Sequence, residues 1–264
     1  MKKLIGIVAL SLLAAGCKTS PTGRTQIALY SPQKMNEMGV ASFAQMKEQQ
    51  AIETNKQTNG YVRCIADKLI AQLPTQYANQ DWEVVVFKED SANAFALPGG
   101  KIGVHTGLLK VAQDQHQLAA VMGHEVGHVI AEHANERVSQ NSLLQFGLQA
   151  SDVALQMGNV EYRQAIMQGL GVGAQVGVAL PFSRSHESEA DVIGLDLMAK
   201  AGFEPTGSVK LWENMNKLAG ERSPEFLSTH PAPDTRMQTL NSKMPEAETL
   251  KRSAWQKGLK PECK

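Results

Sequence analysis

Residues Gly123 to His128 read Gly-His-Glu-Val-Gly-His and lie inside an apolar run, with Leu118 to Met122 before them and Val129 to Ala131 after. On a helix of about 3.6 residues per turn, His124 and His128 fall on one face, one turn apart. Two imidazoles so placed can hold one metal ion between them. Glu125, beside the first, can take a proton from a water at that ion. An apolar helix has little structural reason to put two histidines and a glutamate on its packed side. Metal chemistry accounts for these residues better than a solvated helix face does.

A catalytic zinc needs three protein ligands and one open position. The candidates for the third ligand are His133, Glu187, Glu189 and His230. At about 100° per residue, His133 sits about 500° from His128, off the ligand face. The three-histidine spacing would also need glycine at 131 and histidine at 134, where the chain has Ala131 and Ala134. His133 is therefore read as a residue beside the site or on the surface. Glu187 is better placed, in Ser183-Arg184-Ser185-His186-Glu187-Ser188-Glu189-Ala190-Asp191, a new helix after Pro181. Glu187 and Asp191 stand four apart and share a face, so Glu187 would bind the metal. Asp191 would orient His124 or His128 by accepting from the other ring nitrogen. Glu189 lies about 200° around from Glu187 and is expected in solvent.

The N-terminus sets the compartment. Lys2 and Lys3, an apolar run from Leu4 to Leu13, and Ala14-Ala15-Gly16-Cys17 read as a signal peptide over residues 1–16 with a bacterial lipobox. The run is short for a membrane span. Cleavage before Cys17 would lipidate that residue. Lys18, rather than an acidic residue after the cysteine, favours the outer membrane, so the expected location is the periplasm, lipid-anchored. In that oxidising space the remaining pair, Cys64 and Cys263, could form a disulfide or stay as two thiols. Lysine plus arginine equals aspartate plus glutamate, 26 each, and glycine-rich phosphate loops and basic runs are missing, which argues against a nucleic-acid partner.

The elements that must position these residues follow from periodicity. Residues 17–31 are polar and read as a tether; residues 32–264 are long enough for one domain. Helices are predicted over Pro32 to about Glu53, Gly60–Leu73, Thr106–Ala112, Gln115 to about Arg137, Ser185–Ala201, Thr206–Leu218 and Asp234–Lys243. Strands are predicted at Trp82–Phe87, Asn93–Leu97 and Lys101–His105, the last two broken by Pro98-Gly99-Gly100. Leu143–Leu180 is rich in glycine and interrupted by polar residues, and reads as small-residue helices packing over the site rather than a membrane span. The fold class is α+β, mainly helical, with a small mixed β-sheet and the motif helix at its centre.

HExxH followed some sixty residues later by SRxxExxAD resembles the gluzincin metallopeptidases related to HtpX and the CAAX prenyl proteases. The soluble, lipid-anchored periplasmic branch of BepA- and LoiP-like proteins is the most similar, without its tetratricopeptide tail. Asn93-Ala94-Phe95-Ala96-Leu97-Pro98-Gly99-Gly100 resembles the family's edge strand, His105-Thr106-Gly107-Leu108-Leu109 the segment before the motif helix, and Ser228-Thr229-His230-Pro231 with Arg236 its late His-Pro…Arg element. The resemblance covers about Gly60 to Met244. It implies a zincin-type domain that hydrolyses peptide bonds in misfolded or envelope polypeptides. One zinc ion per chain would be held by His124, His128 and Glu187, with Glu125 as base. Asn93, Ala94, Phe95 and Ala96 would pair with substrate backbone. His230 would either steady the oxyanion or close the metal's open position, and Arg236 would bind an oxyanion or the substrate carbonyl. Two other functions stay open: a metal-gated chaperone or factor of the outer-membrane assembly machinery that cleaves little, and a structural lipoprotein with vestigial motifs.

Overall fold

Helices dominate, and the computed structural model describes them over residues 17–158, 160–174, 180–219, 226, 230 and 234–264. The expected leader 1–16 lies outside these residues, as do Ser228, Thr229 and Pro231. In chain order the elements are β1 Cys17–Thr19, β2 Thr25–Ile27, α1 Pro32–Gln49, α2 Lys56–Ile70, α3 Thr75–Ala78, β3 Glu83–Phe87, β4 Ala94–Leu97 and β5 Lys101–His105. A 3-10 turn at Leu108–Lys110 follows. The remaining helices are α4 Gln115–Ile130, α5 His133–Met157, α6 Arg163–Ala174, α7 Leu180–Lys200, α8 Thr206–Ala219 and α9 Asp234–Gln256. The chain divides into two compact units, residues 1–32 with 132–186, and residues 33–131 with 187–264.

In the first unit, the polar segment read as a tether has structure of its own. β1 and β2 pair antiparallel, with Cys17 opposite Ile27. Arg24 grips Glu136 of α5 through two bonds of 2.8 and 2.7 Å. Asn135 donates to the Tyr30 carbonyl at 2.8 Å and Ser139 accepts from the Leu29 N–H at 2.8 Å. Polar composition suggested a solvated linker, yet the strands pair with each other and Asn135 and Ser139 bind the backbone of Leu29 and Tyr30 just after them. His133 is buried, with its ring stacked on His186 at 4.3 Å, so the surface alternative for it fails. His186 meets Glu136 at 3.0 Å. The Glu136 carboxyl is held down to about 2: burial raises it, but the bonds from His186 and Arg24 outweigh burial.

The second unit holds the apolar core. Asn55 caps α2 by accepting from Gln57 and Thr58, and Val62, Ile65, Ala66 and Leu69 recur at helical spacing on its buried face. β3 and β5 run parallel, and β4 pairs antiparallel with β5 through a turn whose glycines, Gly99 and Gly100, take φ of 85° and 73°. The strand order β3-β5-β4 leaves β4 at an edge among the described residues. Phe95 lies over Gly103, its partner in the ladder, where a side chain would collide with the ring. Asp114 caps α4 by accepting from His116 and Gln117. α4 packs against α2, β4 and α8, and α9 packs on α8. Cys64 of α2 and Cys263 form a disulfide that closes 199 residues of chain.

Periodicity misjudged three details. α4 stops at Ile130 rather than near Arg137, because Glu132 takes a left-handed backbone, φ 53°, with no glycine or proline to announce the break. α9 runs through Pro245 to Gln256, past the predicted end at Lys243, with Leu240, Ala247 and Ala254 buried at seven-residue intervals. Glu189 is buried, not solvated.

α4 and α7 cross at unusually short range. A Cβ on Gly127 would stand 2.8 Å from the Ala190 carbonyl oxygen, and one on Gly194 would stand 2.6 Å from the His124 nitrogen. Both obstacles are backbone, which cannot rotate aside. Gly127→Ala is therefore expected to push α7 off α4, cost about 1–3 kcal/mol, and lower zinc content by displacing Glu187 from the histidines. Melting temperature and zinc per chain check this; an unchanged zinc content would mean that the crossing distance does not set the ligand geometry.

Candidate metal centre

Two helices build the centre. α4 presents His124, Glu125 and His128; α7, held against it at the glycine crossing, presents Glu187 and Asp191. His230 stands between α8 and α9 in the chain, and Arg236 comes from the first turn of α9. His124, His128, Glu187 and His230 converge with their ligand atoms all within 4.8 Å of one another. His124 Nε2 stands 3.1 Å from His128 Nε2, 3.2 Å from Glu187 Oε2 and 3.3 Å from His230 Nδ1. Glu187 Oε1 is 3.4 Å from His128 Nε2 and 2.9 Å from His230 Nδ1.

These separations test whether the donors suit a zinc ion. Ligand atoms at about 2.0–2.2 Å in a tetrahedron stand about 3.3–3.6 Å apart, so the observed spacings are slightly contracted tetrahedral edges. The three imidazoles and the Glu187 carboxylate turn ligand atoms toward one another, so a single cation could be held by all of them. The set of histidines and one carboxylate is a zinc donor set, and the residues fit the ion.

Beyond the ligands, charge is balanced in layers. Asp191 Oδ1 lies 2.9 Å from His124 Nδ1, so it is His124 that Asp191 orients. Arg236, 1 % exposed, grips both Asp191 oxygens at 2.6 Å and reaches Glu187 Oε2 at 2.9 Å. Its guanidinium lies 4.2 Å from the Trp212 ring centre, and Phe226 stacks on His230 at 4.6 Å. Arg236 was expected to hold an oxyanion or a substrate carbonyl. Here it is buried and set against both acids, as their countercharge. Burial alone would raise the Glu187 and Asp191 carboxyls, but hydrogen bonds from His124, His230 and Arg236 pull both below the usual range. Burial opposes the His124 imidazolium, yet bonds to Asp191 and Glu187 lift it to about 9. Metal and proton compete for the same nitrogen, so zinc affinity must fall as pH drops.

Glu125 has the opposite character. Its Oε1 is buried with no hydrogen-bond partner, and His230 Nε2 stands 3.5 Å away. Burial and then neighbouring Glu187 push this carboxyl up, against the pull of His230, His124 and the Ala96 N–H. A raised, unsatisfied carboxyl beside a metal donor set is what a proton-transferring base requires.

The four residues expected to meet substrate lie along the edge strand. Ala94 is buried and Phe95 packs on Gly103. The Asn93 carbonyl accepts from His105 at 3.0 Å, and the Ala96 N–H donates to the Glu125 carboxyl, tying the strand to the base. Sequence reasoning missed Trp212 and Phe226, which carry no pattern. It also missed the glycines of the helix crossing, although Gly123 and Gly127, four apart on the motif helix, were a visible signal.

Helical packing around an HExxH helix, with a carboxylate from a second helix completing the donors, defines a metallopeptidase-type centre. Residues 56–244 match the profile of Peptidase family M48, and the chain belongs to that family. It is 40% identical over 159 residues, 60% of this chain, to the mitochondrial metalloendopeptidase OMA1 of Arabidopsis thaliana. It is 32% identical over 199 residues, 75% of this chain, to the protein of that name from Schizosaccharomyces pombe. It is also 32% identical over 157 residues, 58% of this chain, to the beta-barrel assembly-enhancing protease of Escherichia coli O157:H7. The matches span 31%, 56% and 32% of those relatives' own lengths.

Proposed function

We propose that the chain is a zinc-dependent endopeptidase that cleaves misfolded or envelope polypeptides, tethered by lipid on Cys17 to the periplasmic side of the outer membrane. The proposed organisation is a leader over 1–16, a short lipidated segment over 17–31 and a peptidase domain over 32–264. The observation that carries the reading is the buried Glu125 carboxyl, its Oε1 without a hydrogen-bond partner, beside the His124–His128–Glu187 donors. The names of the relatives, metalloendopeptidase and assembly-enhancing protease, support the reaction and the quality-control setting. The lipobox supports the location, and it favours the BepA- and LoiP-like branch over the mitochondrial relatives.

A bound zinc would polarise the scissile carbonyl and acidify a water beside it. Glu125 takes a proton at its open Oε1 and returns it to the leaving amine. The β4 edge lines up the peptide backbone as an added strand. Asp191, fixed by Arg236, holds the His124 ring in the tautomer that leaves Nε2 toward the donor cluster.

His230 favours a second layer to this reading. Its Nδ1 stands beside Glu187 and His124, where it could take the fourth position that a catalytic zinc leaves open. This placement supports a latched reading, one compatible with a gated assembly factor that cleaves little. His230→Ala is expected to raise casein cleavage if His230 acts chiefly as the latch; lower cleavage at full zinc content would assign it to holding the oxyanion instead. The primary reading is tested by zinc content and casein cleavage with and without chelator. One zinc per chain and activity that disappears on chelation and returns with zinc are expected, and activity indifferent to chelator overturns it.

A further inference from the structure

Beyond the metal centre, we infer that the α5–α6 hairpin of the first unit rests on a lipid bilayer surface. From Gln140 to Met157 in α5 and from Arg163 to Leu170 in α6, every residue is at least partly exposed. Phe146, Val153 and Met157 recur at 0, +7 and +11 on one face, with exposures of 70, 53 and 82%. Tyr162, 76% exposed, adds an aromatic ring at the turn. Its backbone is left-handed, φ 62°, a position that glycine or asparagine would fill more easily. Ile166 and Leu170, four and eight residues on, extend the apolar surface along α6.

Charge points to the occupant. From Leu143 to Ser183 the only charged residues are Asp152, Glu161 and Arg163. Arg163 donates twice to Asp152, at 2.6 Å each, so two of the three cancel. An acidic or basic protein partner would find nothing to pair with there, whereas the interface of a zwitterionic bilayer accepts apolar side chains flanked by aromatic rings. No helix among the described residues is long and apolar enough to cross a membrane, so the hairpin would lie on the bilayer rather than span it. Cys17 begins β1 and belongs to the same compact unit as the hairpin. An acyl group there would therefore hold this unit, not a distant one, at the membrane. That last step rests on the lipid-anchor reading; the exposed apolar face does not.

The test supplies the anchor separately. The chain from residue 18 onward, carrying an N-terminal histidine tag, is bound to phosphatidylcholine vesicles through a nickel-chelating lipid. A nitroxide is attached at Met157→Cys or, in a second variant, at Tyr162→Cys, the native Cys64–Cys263 disulfide being left intact. On vesicles both labels are expected to gain accessibility to oxygen and lose accessibility to chromium oxalate, relative to the same protein in solution. Labels that stay equally open to chromium oxalate overturn the inference. So does shielding that appears without vesicles and grows with protein concentration, which would assign the face to a second copy of the chain. Mass spectrometry of the chain produced with its own leader reads acylation of Cys17 independently. Failure of the anchor and failure of the hairpin are thereby separate results.

Discussion

Glu125→Gln is expected to keep one zinc per chain and to lower the casein cleavage rate by about 10²–10⁴-fold, the range a positioned general base contributes. The substitution keeps the size and planarity of the side chain, and the donors His124, His128 and Glu187 are untouched. What it removes is the ability to take a proton. The structure gives the reason for so large an effect. Glu125 is the buried carboxyl in this centre with an oxygen left without a partner, while Glu187 and Asp191 are held ionised by hydrogen bonds and Arg236. The neighbouring acids therefore cannot substitute for it as proton carriers. Zinc content and initial rates measured on the same preparation check the prediction. Robust cleavage by the zinc-loaded variant would remove Glu125 from the reaction.

Arg236→Met is expected to be the most destabilising single change near the site. The guanidinium is almost wholly buried and faces two carboxylates, Asp191 on two bonds and Glu187 on a third contact. Methionine fills part of the volume against Trp212 but leaves two buried acids without their cation. Breaking a buried pair from one side costs about 3–5 kcal/mol. At about 2–4 °C per kcal/mol for a chain of this size, melting should fall by about 6–20 °C. Zinc should bind more weakly as well, because Asp191 would no longer hold the His124 ring. Arg236→Lys should recover only part of the loss, since a lysine cannot grip both Asp191 oxygens in a plane. A variant that melts within a degree or two of the parent and retains zinc would show that the acids find their compensation elsewhere.

Most of the secondary structure was legible because local rules produced it. The apolar spacing of Val62, Ile65 and Leu69, the Asp114 cap before the motif helix and the Pro-Gly-Gly turn between β4 and β5 are all local features. Errors came where long-range contacts overrode local pattern. The left-handed Glu132 interrupts a helical run that looks continuous. Residues Lys18 to Tyr30 are polar, yet they pair as two strands, and the backbone of Leu29 and Tyr30 is bound by Ser139 and Asn135, more than a hundred residues away. Glu189 was assigned to solvent from its angle on the helix, but an angle says nothing about what packs on that side.

The sequence by itself determined the candidate donors: an HExxH pair, one turn apart, with a glutamate beside it, and a carboxylate with a second acid four residues on. Spacing along one helix is enough for that, because 3.6 residues per turn leaves no other way to share a face. Only the tertiary structure set Asp191 against His124, Arg236 against Asp191 and Glu187, and His230 beside the other three donors. Those outcomes depend on the glycine crossing of α4 with α7 and on the approach of His230. Such contacts join residues 40 to 110 positions apart, a distance over which no local periodicity carries information.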